Sequence, residues 1–322
     1  MNPMPFKKIL VTTLIAASSA LAFAQDSRPL RLVVPFPPGG ATDAVARMLQ
    51  PKLSAELSQT VVVENKPGAS GQIGTAFVKN APADGTVFLF TTDHTVVTIP
   101  HLVPSAGYVA PDDFLALGQV ARYPLALSVA PATGAKNLRD FASFVKAQPA
   151  KANYGVPVIG GFPSTVGVAV ARKIGAPMIA VPFPGSGPVT LNVAASQVSA
   201  GVTGLGDVLP MAKGGRVQLV AVTGTQRSPI TPDVPTFEEL GYSGLTQQSW
   251  YGFLAPKATP PAIAERFNHA LAKVLKDADI QHRIRELSLE LAPTTLQEAA
   301  AEFKASAEFW TEAAKSPDFV RP

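Results

Sequence analysis

Residues 30–47 read LRLVVPFPPGGATDAVAR, an apolar run that ends in prolines and glycines and leads directly into a helical pattern. A continuous apolar run followed at once by a helix is typical of a parallel strand buried on both faces. The connecting loop is either an ordinary turn or a backbone cradle for an anion, since a helix N-terminus exposes unpaired N–H groups and carries about half a positive charge. The residues that would form the cradle are Gly39, Gly40, Ala41 and Thr42.

Asp43 stands in the first turn of the predicted helix. Its charge suits the positive end of the helix dipole but would repel an anion placed close to it. We therefore predict that Asp43 fixes the loop by accepting hydrogen bonds from backbone N–H groups.

A second stretch repeats the same plan in the other half of the chain. Residues 178–195 read MIAVPFPGSGPVTLNVAA, so VPFP tetrapeptides start at both Val34 and Val181. Two strand-exit loops of like design are what two facing α/β lobes need, because ligands in open α/β sheets lie beyond the carboxyl ends of the strands. The alternative is a coincidence of proline-rich turns in a chain with 31 prolines.

Strand-like runs and helical patterns alternate along the rest of the chain, which predicts an α/β class with parallel strands. Asn137 is predicted to cap a helix, and the aromatic residues Phe303, Phe309 and Trp310 are predicted to be core. The remaining predicted strands are 60–64, 86–92, 125–131, 177–183 and 217–224, and the remaining predicted helices lie near 71–80, after Pro261 and over 296–315.

The N-terminus has the three parts of a secretory signal peptide. A cationic head with Lys7 and Lys8 precedes a short apolar stretch, and Ala22-Phe23-Ala24 has the form of a cleavage site. Residues 1–24 are therefore predicted to direct export, an uncleaved membrane anchor being the alternative.

Charge and cysteine content exclude several classes of protein. Without the two lysines of the signal the net charge falls from +4 to +2, which is too small and dispersed to indicate a nucleic-acid partner. The chain has no cysteine, so an exported protein of this length must be held together by core burial rather than by disulfides.

No catalytic or metal-binding constellation is evident. The motifs H-E-x-x-H, G-x-S-x-G and the Walker A loop are absent, and the four histidines lack the spacing of paired metal ligands. Ser143 and Lys146 match S-x-x-K without the motifs that accompany it. We expect a binding protein without cofactor or metal, rather than an enzyme.

Further glycine-rich loops follow strand-like runs at residues 67–74, 154–165 and 184–188. Together with the first loop and its surroundings, five segments resemble those of a known family. They are RLVVPFPPGGATDAVAR (31–47), VVVENKPGASGQIG (61–74), VPFPGSGP (181–188), RSPITPDVPTFEELGY (227–242) and WYGFLAPKATPPAI (250–263). The chain resembles the Bug family of periplasmic solute-binding proteins, the extracytoplasmic receptors of tripartite tricarboxylate transporters.

The resemblance implies a two-lobed periplasmic binding protein fold of the Venus-flytrap type, each lobe a mainly parallel sheet flanked by helices. It implies that the lobes close over a small carboxylate held by loop 37–43 and loop 68–74 of one lobe and by loops 154–165 and 182–188 of the other. We predict crossing segments near residues 121–128 and 245–254. Lobe 1 is then 26–124 plus 246–322, and lobe 2 is 125–245.

The candidate ligand-binding residues follow from these loops, with Asp93, His94 and Asp207 as further sources of polarity. In addition to the cradle residues Gly39, Gly40, Ala41 and Thr42 and to Asp43, they are Pro38, Ser70, Gly71, Gln72, Asp93, His94, Gly160, Gly161, Phe162, Ser164, Phe183, Gly185, Ser186 and Asp207.

Two departures from the family pattern bear on the ligand. The 155–164 segment lacks the serine-rich loop of the family, and Val181-Pro182-Phe183-Pro184-Gly185 lacks a cation where the family often has Arg or Lys. The missing cation and hydroxyls suggest that the distal part of the ligand is apolar or aromatic. The favoured function is a periplasmic receptor that delivers an organic acid to the membrane subunits of a transporter; presentation to a sensor kinase, and an exported hydrolase, are the alternatives.

Overall fold

The computed structural model describes residues 28–103, 105–157, 161–183 and 185–315. The predicted signal peptide, residues 1–24, and the candidate residue Gly160 lie outside this part of the chain. None of the helices in it is long and apolar enough to cross a membrane.

The described residues form two sheets. The first, of six strands, has the order β11-β4-β10-β3-β1-β2, and the second, of five, has the order β7-β6-β8-β5-β9. The strands are β1 Leu30–Val34, β2 Val61–Asn65, β3 Val87–Thr92, β4 Phe114–Tyr123, β5 Leu125–Val129, β6 Asn153–Val156, β7 Ile179–Pro182, β8 Ala200–Gly204, β9 Gln218–Val222, β10 Ser249–Pro256 and β11 Glu290–Leu291.

β1 coincides with the apolar run from which the prediction started. It pairs in parallel with β2, where Leu30 is opposite Val61, and with β3 on its other side. Leu32, Val33 and Val34 have no exposed surface. Burial on both faces explains why the run is continuously apolar instead of alternating.

Both sheets are mixed, so the prediction of mainly parallel sheets is corrected while the two-sheet α/β class is confirmed. In the first sheet β10 runs antiparallel to β3 and β4, and β11 antiparallel to β4. In the second, β5 runs antiparallel to β8 and β9. β5 and β10 are buried on both faces as a parallel strand would be, and an apolar run does not encode strand direction.

The helices cover both faces of each sheet. A π-helical turn, His94–Thr98, precedes α3. The helices are α1 Ala41–Leu57, α2 Gln72–Lys79, α3 Ile99–Leu102, α4 Leu138–Ala147, α5 Gly161–Ile174, α6 Ser186–Ala194, α7 Leu205–Lys213, α8 Pro261–Val274, α9 Ala278–Glu286 and α10 Leu296–Ala313.

Helix starts and core faces agree with the sequence patterns. Asn137 caps α4, because its side chain accepts a hydrogen bond from Asp140 N at 3.0 Å. Phe303 and Trp310 of α10 are buried, and the Trp310 ring contacts Phe162 of α5 edge-on at 5.8 Å. The C-terminal helix, which packs on β4 of the first sheet, thus also contacts a helix that packs on the second.

We define lobe 1 as the sheet that contains β1 with its helices, and lobe 2 as the sheet that contains β5 with its helices. The chain passes from the first sheet to the second across Pro124, between β4 and β5, and returns between β9 and β10. These crossings support the proposed division at residues 124–125 and 245–246. One core cluster, which includes Val33, Phe141 and Trp310, runs through both lobes.

Candidate functional site

A cavity of about 870 Å³ lies between the two lobes. It is lined by the loops that follow β1 and β3 in lobe 1 and by the segments that precede α5, α6 and α7 in lobe 2. The crossing strands β4 and β10 contribute Tyr123 and Tyr251. The cavity therefore lies where the strand-exit loops of the two sheets face each other.

The starts of four helices point at this cavity. Gly40, Ala41 and Thr42 begin α1, and the corresponding residues of the other helices are Phe162 and Pro163 of α5, Gly185 to Gly187 of α6, and Gly204, Gly206 and Asp207 of α7. Each helix start exposes N–H groups that have no intrahelical partner. No lysine or arginine is among the described residues that line the cavity. The N–H groups and dipoles of the helix starts can hold an anion without a cationic side chain.

Asp43 holds the first loop from behind instead of lining the cavity. Its carboxylate accepts hydrogen bonds from Gly39 N and from Asn65 Nδ2, each at 2.9 Å. It also forms an ion pair with Arg47 at 2.9 Å. Burial alone would raise the pKa of this carboxyl, but the bonds from Arg47 and Gly39 outweigh it and lower the pKa. The loop-fixing bond predicted from the sequence is present.

Asp93 and His94 lie where β3 passes into the π-helical turn, and burial shifts both away from their charged forms. The Asp93 carboxylate accepts a hydrogen bond from Trp250 N at 3.3 Å, yet burial raises its pKa to about 7. Burial lowers the pKa of His94 to about 4, so this imidazole is neutral near pH 7. Both side chains line the cavity.

A chain of hydroxyl groups crosses the floor of the cavity. The hydroxyl of Tyr251 lies near those of Thr42 and Tyr123, and the hydroxyl of Tyr123 lies near that of Ser249. The two tyrosine rings are 5.2 Å apart. Burial, with nearby acids as a further cause, raises the pKa of both tyrosines, so their hydroxyls keep their protons and can donate hydrogen bonds.

Asp207 faces this floor from the first turn of α7 in lobe 2. Its side chain is exposed to solvent within the open cleft, yet the surrounding protein partly desolvates the carboxylate and raises its pKa, while the nearby hydroxyl of Ser186 at the start of α6 lowers it. The backbone approaches closely here, since a Cβ atom on Gly204 would lie 2.9 Å from Asp207 Oδ2.

The cavity brings together ten of the candidate ligand-binding residues from both lobes. They are Pro38, Gly40, Ala41, Thr42, Asp93, His94, Phe162, Gly185, Ser186 and Asp207. Their role in ligand binding stays a prediction, which the experiments below test.

The other described candidates are not among the residues that line the cavity. Gly71 lies against Thr95, where a Cβ atom would approach within 2.7 Å, and Gly161 lies against His94. Phe183 is close to Gly155 instead of to the cavity. The full set outside the lining is Gly39, Asp43, Ser70, Gly71, Gln72, Gly161, Ser164 and Phe183.

Sequence reasoning missed the tyrosines and the end of α9 as cavity residues. Tyr123 and Tyr251 fall inside the segments predicted to cross between lobes, and a crossing strand necessarily passes the cleft. That was the signal that could have found them. Residues 286–289, by contrast, reach the cavity only through the packing of α9, which no local pattern indicates.

Much of the remaining lining is apolar. Phe36 and Leu125 line one side, Phe162 and Pro210 belong to lobe 2, and Leu287 lies at the end of α9. The part of the chain that the structure describes contains no group of three or more potential metal ligands. The arrangement can hold an anionic group at helix starts and an apolar body beside it.

The chain is similar to known transporter receptors. The family model described as "Tripartite tricarboxylate transporter family receptor" matches residues 45–307. Protein BugT of Bordetella pertussis is 30% identical over 269 residues, which is 83% of this chain and 82% of BugT.

Two solved structures of Rhodopseudomonas palustris proteins are similar over nearly their whole length. Rpa4515, solved with adipate, is 29% identical with a TM-score of 0.81, and the match covers 92% of this chain and 100% of Rpa4515. MatC, solved with bound malate, is 26% identical with a TM-score of 0.75, and the match covers 90% of this chain and 99% of MatC.

Proposed function

This chain belongs to the Bug family of tripartite tricarboxylate transporter receptors, and we propose that it captures a small organic acid in the periplasm for delivery to the membrane subunits of such a transporter. The observation that carries this function is the interlobe cavity, where helix starts from both lobes converge without a lysine or arginine among the described lining residues. Two neighbours of the same fold bind carboxylates, adipate in one case and malate in the other.

We place the ligand carboxylate at the start of α1. Gly40, Ala41 and Thr42 offer N–H groups and a hydroxyl there, and Asp43 holds the loop in place through Gly39. Single contacts of this kind contribute roughly 0.3–2 kcal/mol each, so several must converge on one carboxylate. The hydroxyl of Tyr251 lies near Thr42 and can be a further donor.

The body of the ligand lies against the apolar part of the lining. Phe36, Phe162 and Leu287 offer surface that suits an aliphatic or aromatic group. Burial of such a group contributes about 25 cal/mol per Å² of apolar area. This is the basis for an acid with an apolar body rather than one with several carboxylates.

The proposal also covers the partner that receives the ligand and whether the ligand is chemically converted. The matched family consists of transporter receptors, which favours transport and leaves the sensor-kinase alternative without support. It is a solute-binding family, and we propose that this chain binds its ligand without converting it. Periplasmic location rests on the predicted signal at residues 1–24 and on the family.

Two measurements test the function. Native mass spectrometry of protein purified from its own host should show a retained organic acid. Titration calorimetry with branched and aromatic monocarboxylates, citrate and glutamate should show the tightest binding for the acids with an apolar body. Tighter binding of citrate or glutamate would contradict the apolar body.

Variants of the first loop test where the carboxylate lies. Thr42→Ala and Asp43→Ala should each weaken binding roughly three- to tenfold, because each removes a contact or its support. Asp84→Ala is the matched control. Like Asp43, Asp84 accepts a hydrogen bond from a backbone N–H, that of Thr86, and forms an ion pair with an arginine, Arg28, but it is not among the residues that line the cavity. Unchanged affinity in both loop variants would refute the cradle.

A further inference from the structure

The two lobes touch at a glycine in the first turn of α7. This glycine, Gly206 of lobe 2, lies against Leu287 and Ser288, which follow α9 in lobe 1. A Cβ atom on Gly206 would lie 2.9 Å from the backbone carbonyl oxygen of Leu287 and 3.2 Å from the Cβ atom of Ser288. All three residues line the interlobe cavity, so this contact is on the cavity side of the crossing strands.

The contact lies next to the crossing between the sheets. Gly206 is two residues after Gly204, which pairs with Leu125 at the start of β5. Ser288 is two residues before Glu290, which pairs with β4 close to the end of that strand. Because β4 and β5 flank the crossing, the contact is close to the axis about which one lobe turns against the other.

Both sides of the contact are held by backbone hydrogen bonds and buried neighbours. In lobe 2, Leu205 has no exposed surface, and its N–H donates to the carbonyl of Pro124 at 3.0 Å. In lobe 1, the N–H of Ser288 donates to the carbonyl of Arg285 at 2.8 Å, and the next residue, Leu289, is buried in the core of the lobe. Backbone that is packed in this way does not swing aside as the end of a side chain does.

Closure of the lobes compresses this contact. The surfaces that line a cleft approach each other when it closes about a hinge, so the start of α7 is pressed onto the turn at 287–288. Glycine at position 206 leaves room for that approach, whereas a Cβ atom at 2.9 Å from a backbone oxygen would be closer than such atoms come in proteins. Since the contact is near the axis, a small displacement there becomes a larger one at the far side of the cavity.

We infer that Gly206 is a specificity-determining residue, because its contact with the turn at 287–288 sets how far the lobes close and therefore the length of acid that both lobes can hold at once. The inference rests on the proposed function and specifies which acids the same cavity takes. An acid that is too short leaves one lobe without contact, and an acid that is too long keeps the lobes apart. The acid of the right length favours the closed form.

Gly206→Ala tests the inference by titration calorimetry with straight-chain monocarboxylates from propanoate to octanoate. The added methyl group should hold the lobes apart. Affinity for the shortest acids that the wild type binds should then fall about tenfold, the value expected when a ligand loses one hydrogen bond to its charged group, and the preferred length should increase. The melting temperature without ligand should not fall, because the open form relieves the contact and alanine favours the helix.

Two further variants bracket this result. Gly214→Ala is the matched control at the other end of α7, where the nearest atom to the Cβ position is 3.4 Å away, and it should leave the preferred length unchanged. Ser288→Gly removes the Cβ atom that faces Gly206, at a position whose φ of +57° glycine adopts readily. It should let the lobes approach further and shift the preference towards shorter acids.

An unchanged preferred length in Gly206→Ala, or an equal loss of affinity for every acid, would overturn the inference and leave the carboxylate receptor intact. If Gly206→Ala does not fold, Ser288→Gly decides alone, and an unchanged preferred length in that variant would overturn the inference. Binding of the branched, aromatic or polycarboxylic acids named above without any member of the straight-chain series would also overturn it, since length then decides nothing. Failure of the wild type to bind any of these acids would instead overturn the proposed function, and the inference with it.

Discussion

At the scale of single residues, the neighbours Asp93 and His94 show how one environment shifts two groups in opposite directions. The same burial raises the pKa of Asp93 to about 7 and lowers that of His94 to about 4, since burial disfavours the charged form of each. Near pH 7 His94 is therefore neutral and Asp93 is partly protonated, in a cavity that is proposed to attract an anion. The folded protein binds a proton more tightly at Asp93 and less tightly at His94 than the unfolded chain does.

These shifts predict opposite pH dependences of stability. The contribution of Asp93 is fully present below about pH 4 and is lost as the pH rises towards about 7, whereas that of His94 is present above about pH 6.5 and is lost as the pH falls towards about 4. As the pH rises from about 4.5 to 7.5, the melting temperature of Asp93→Asn should increase relative to that of the wild type. Over the lower part of the same range, the melting temperature of His94→Gln should decrease relative to that of the wild type as the pH rises. Difference curves from thermal denaturation that are flat for both variants would contradict the assignment.

At the scale of elements, the site consists of helix starts placed by glycines. Gly161, which begins α5, adopts φ +69°, and a Cβ atom there would lie 2.9 Å from His94 Cε1 and 3.0 Å from Nδ1. The start of α5 can approach the π-helical turn only because this side chain is absent. Gly175 after the other end of α5 has a similar φ of +71° but no atom within 4 Å of its Cβ position.

Substitution of these two glycines should affect the stability of the fold in both cases but the affinity for the ligand in only one. Gly161→Ala and Gly175→Ala should both lower the free energy of unfolding by about 1–2 kcal/mol, because alanine is strained at positive φ. Only Gly161→Ala should also weaken ligand binding, roughly tenfold, since it pushes the helix start away from His94. Calorimetric titration of both variants beside their denaturant unfolding checks this. Equal affinity losses would show that α5 is not positioned by this contact.

At the scale of the whole molecule, the crossing strands separate two clefts. Successive residues of a strand point to opposite faces, so Tyr123 and Tyr251 line the ligand cavity while Arg122 and Trp250 line a second groove of about 410 Å³. Across this groove the hydroxyl of Ser228, in the segment that follows β9, donates a hydrogen bond to Glu290 of β11 at 2.6 Å. Closing the lobes over the ligand should open the groove behind the strands.

Ser228 is therefore predicted to favour the open form. Ser228→Ala should tighten ligand binding about two- to tenfold, because closure then no longer breaks a hydrogen bond to a charged group. Ser306→Ala is the matched control, since Ser306 of α10 lines the same groove and forms no hydrogen bond between lobes within the described chain. Fluorescence titration of both variants measures the difference, and weaker or unchanged binding in Ser228→Ala would contradict the prediction.

The amino-acid sequence by itself determined the elements and the α/β class, because these depend on neighbours along the chain. The run 30–34 is β1, Asn137 caps α4, and Phe303 and Trp310 are core, all as predicted. The loop that follows β1 lines the interlobe cavity together with its counterpart at Gly185 and Ser186, as the two VPFP motifs suggested. Short-range periodicity and turn chemistry suffice for such features.

Tertiary structure alone decided which way the strands run and which side chains share the cavity. β10 returns antiparallel between β3 and β4, and this pairing places Tyr251 beside Tyr123 at the floor. The facing of the two sheets also brings Asp207 of lobe 2 and Thr42 of lobe 1 into the lining of one cavity. These contacts join residues far apart in sequence, and they form because two separately buried sheets face each other, which no local pattern of burial encodes.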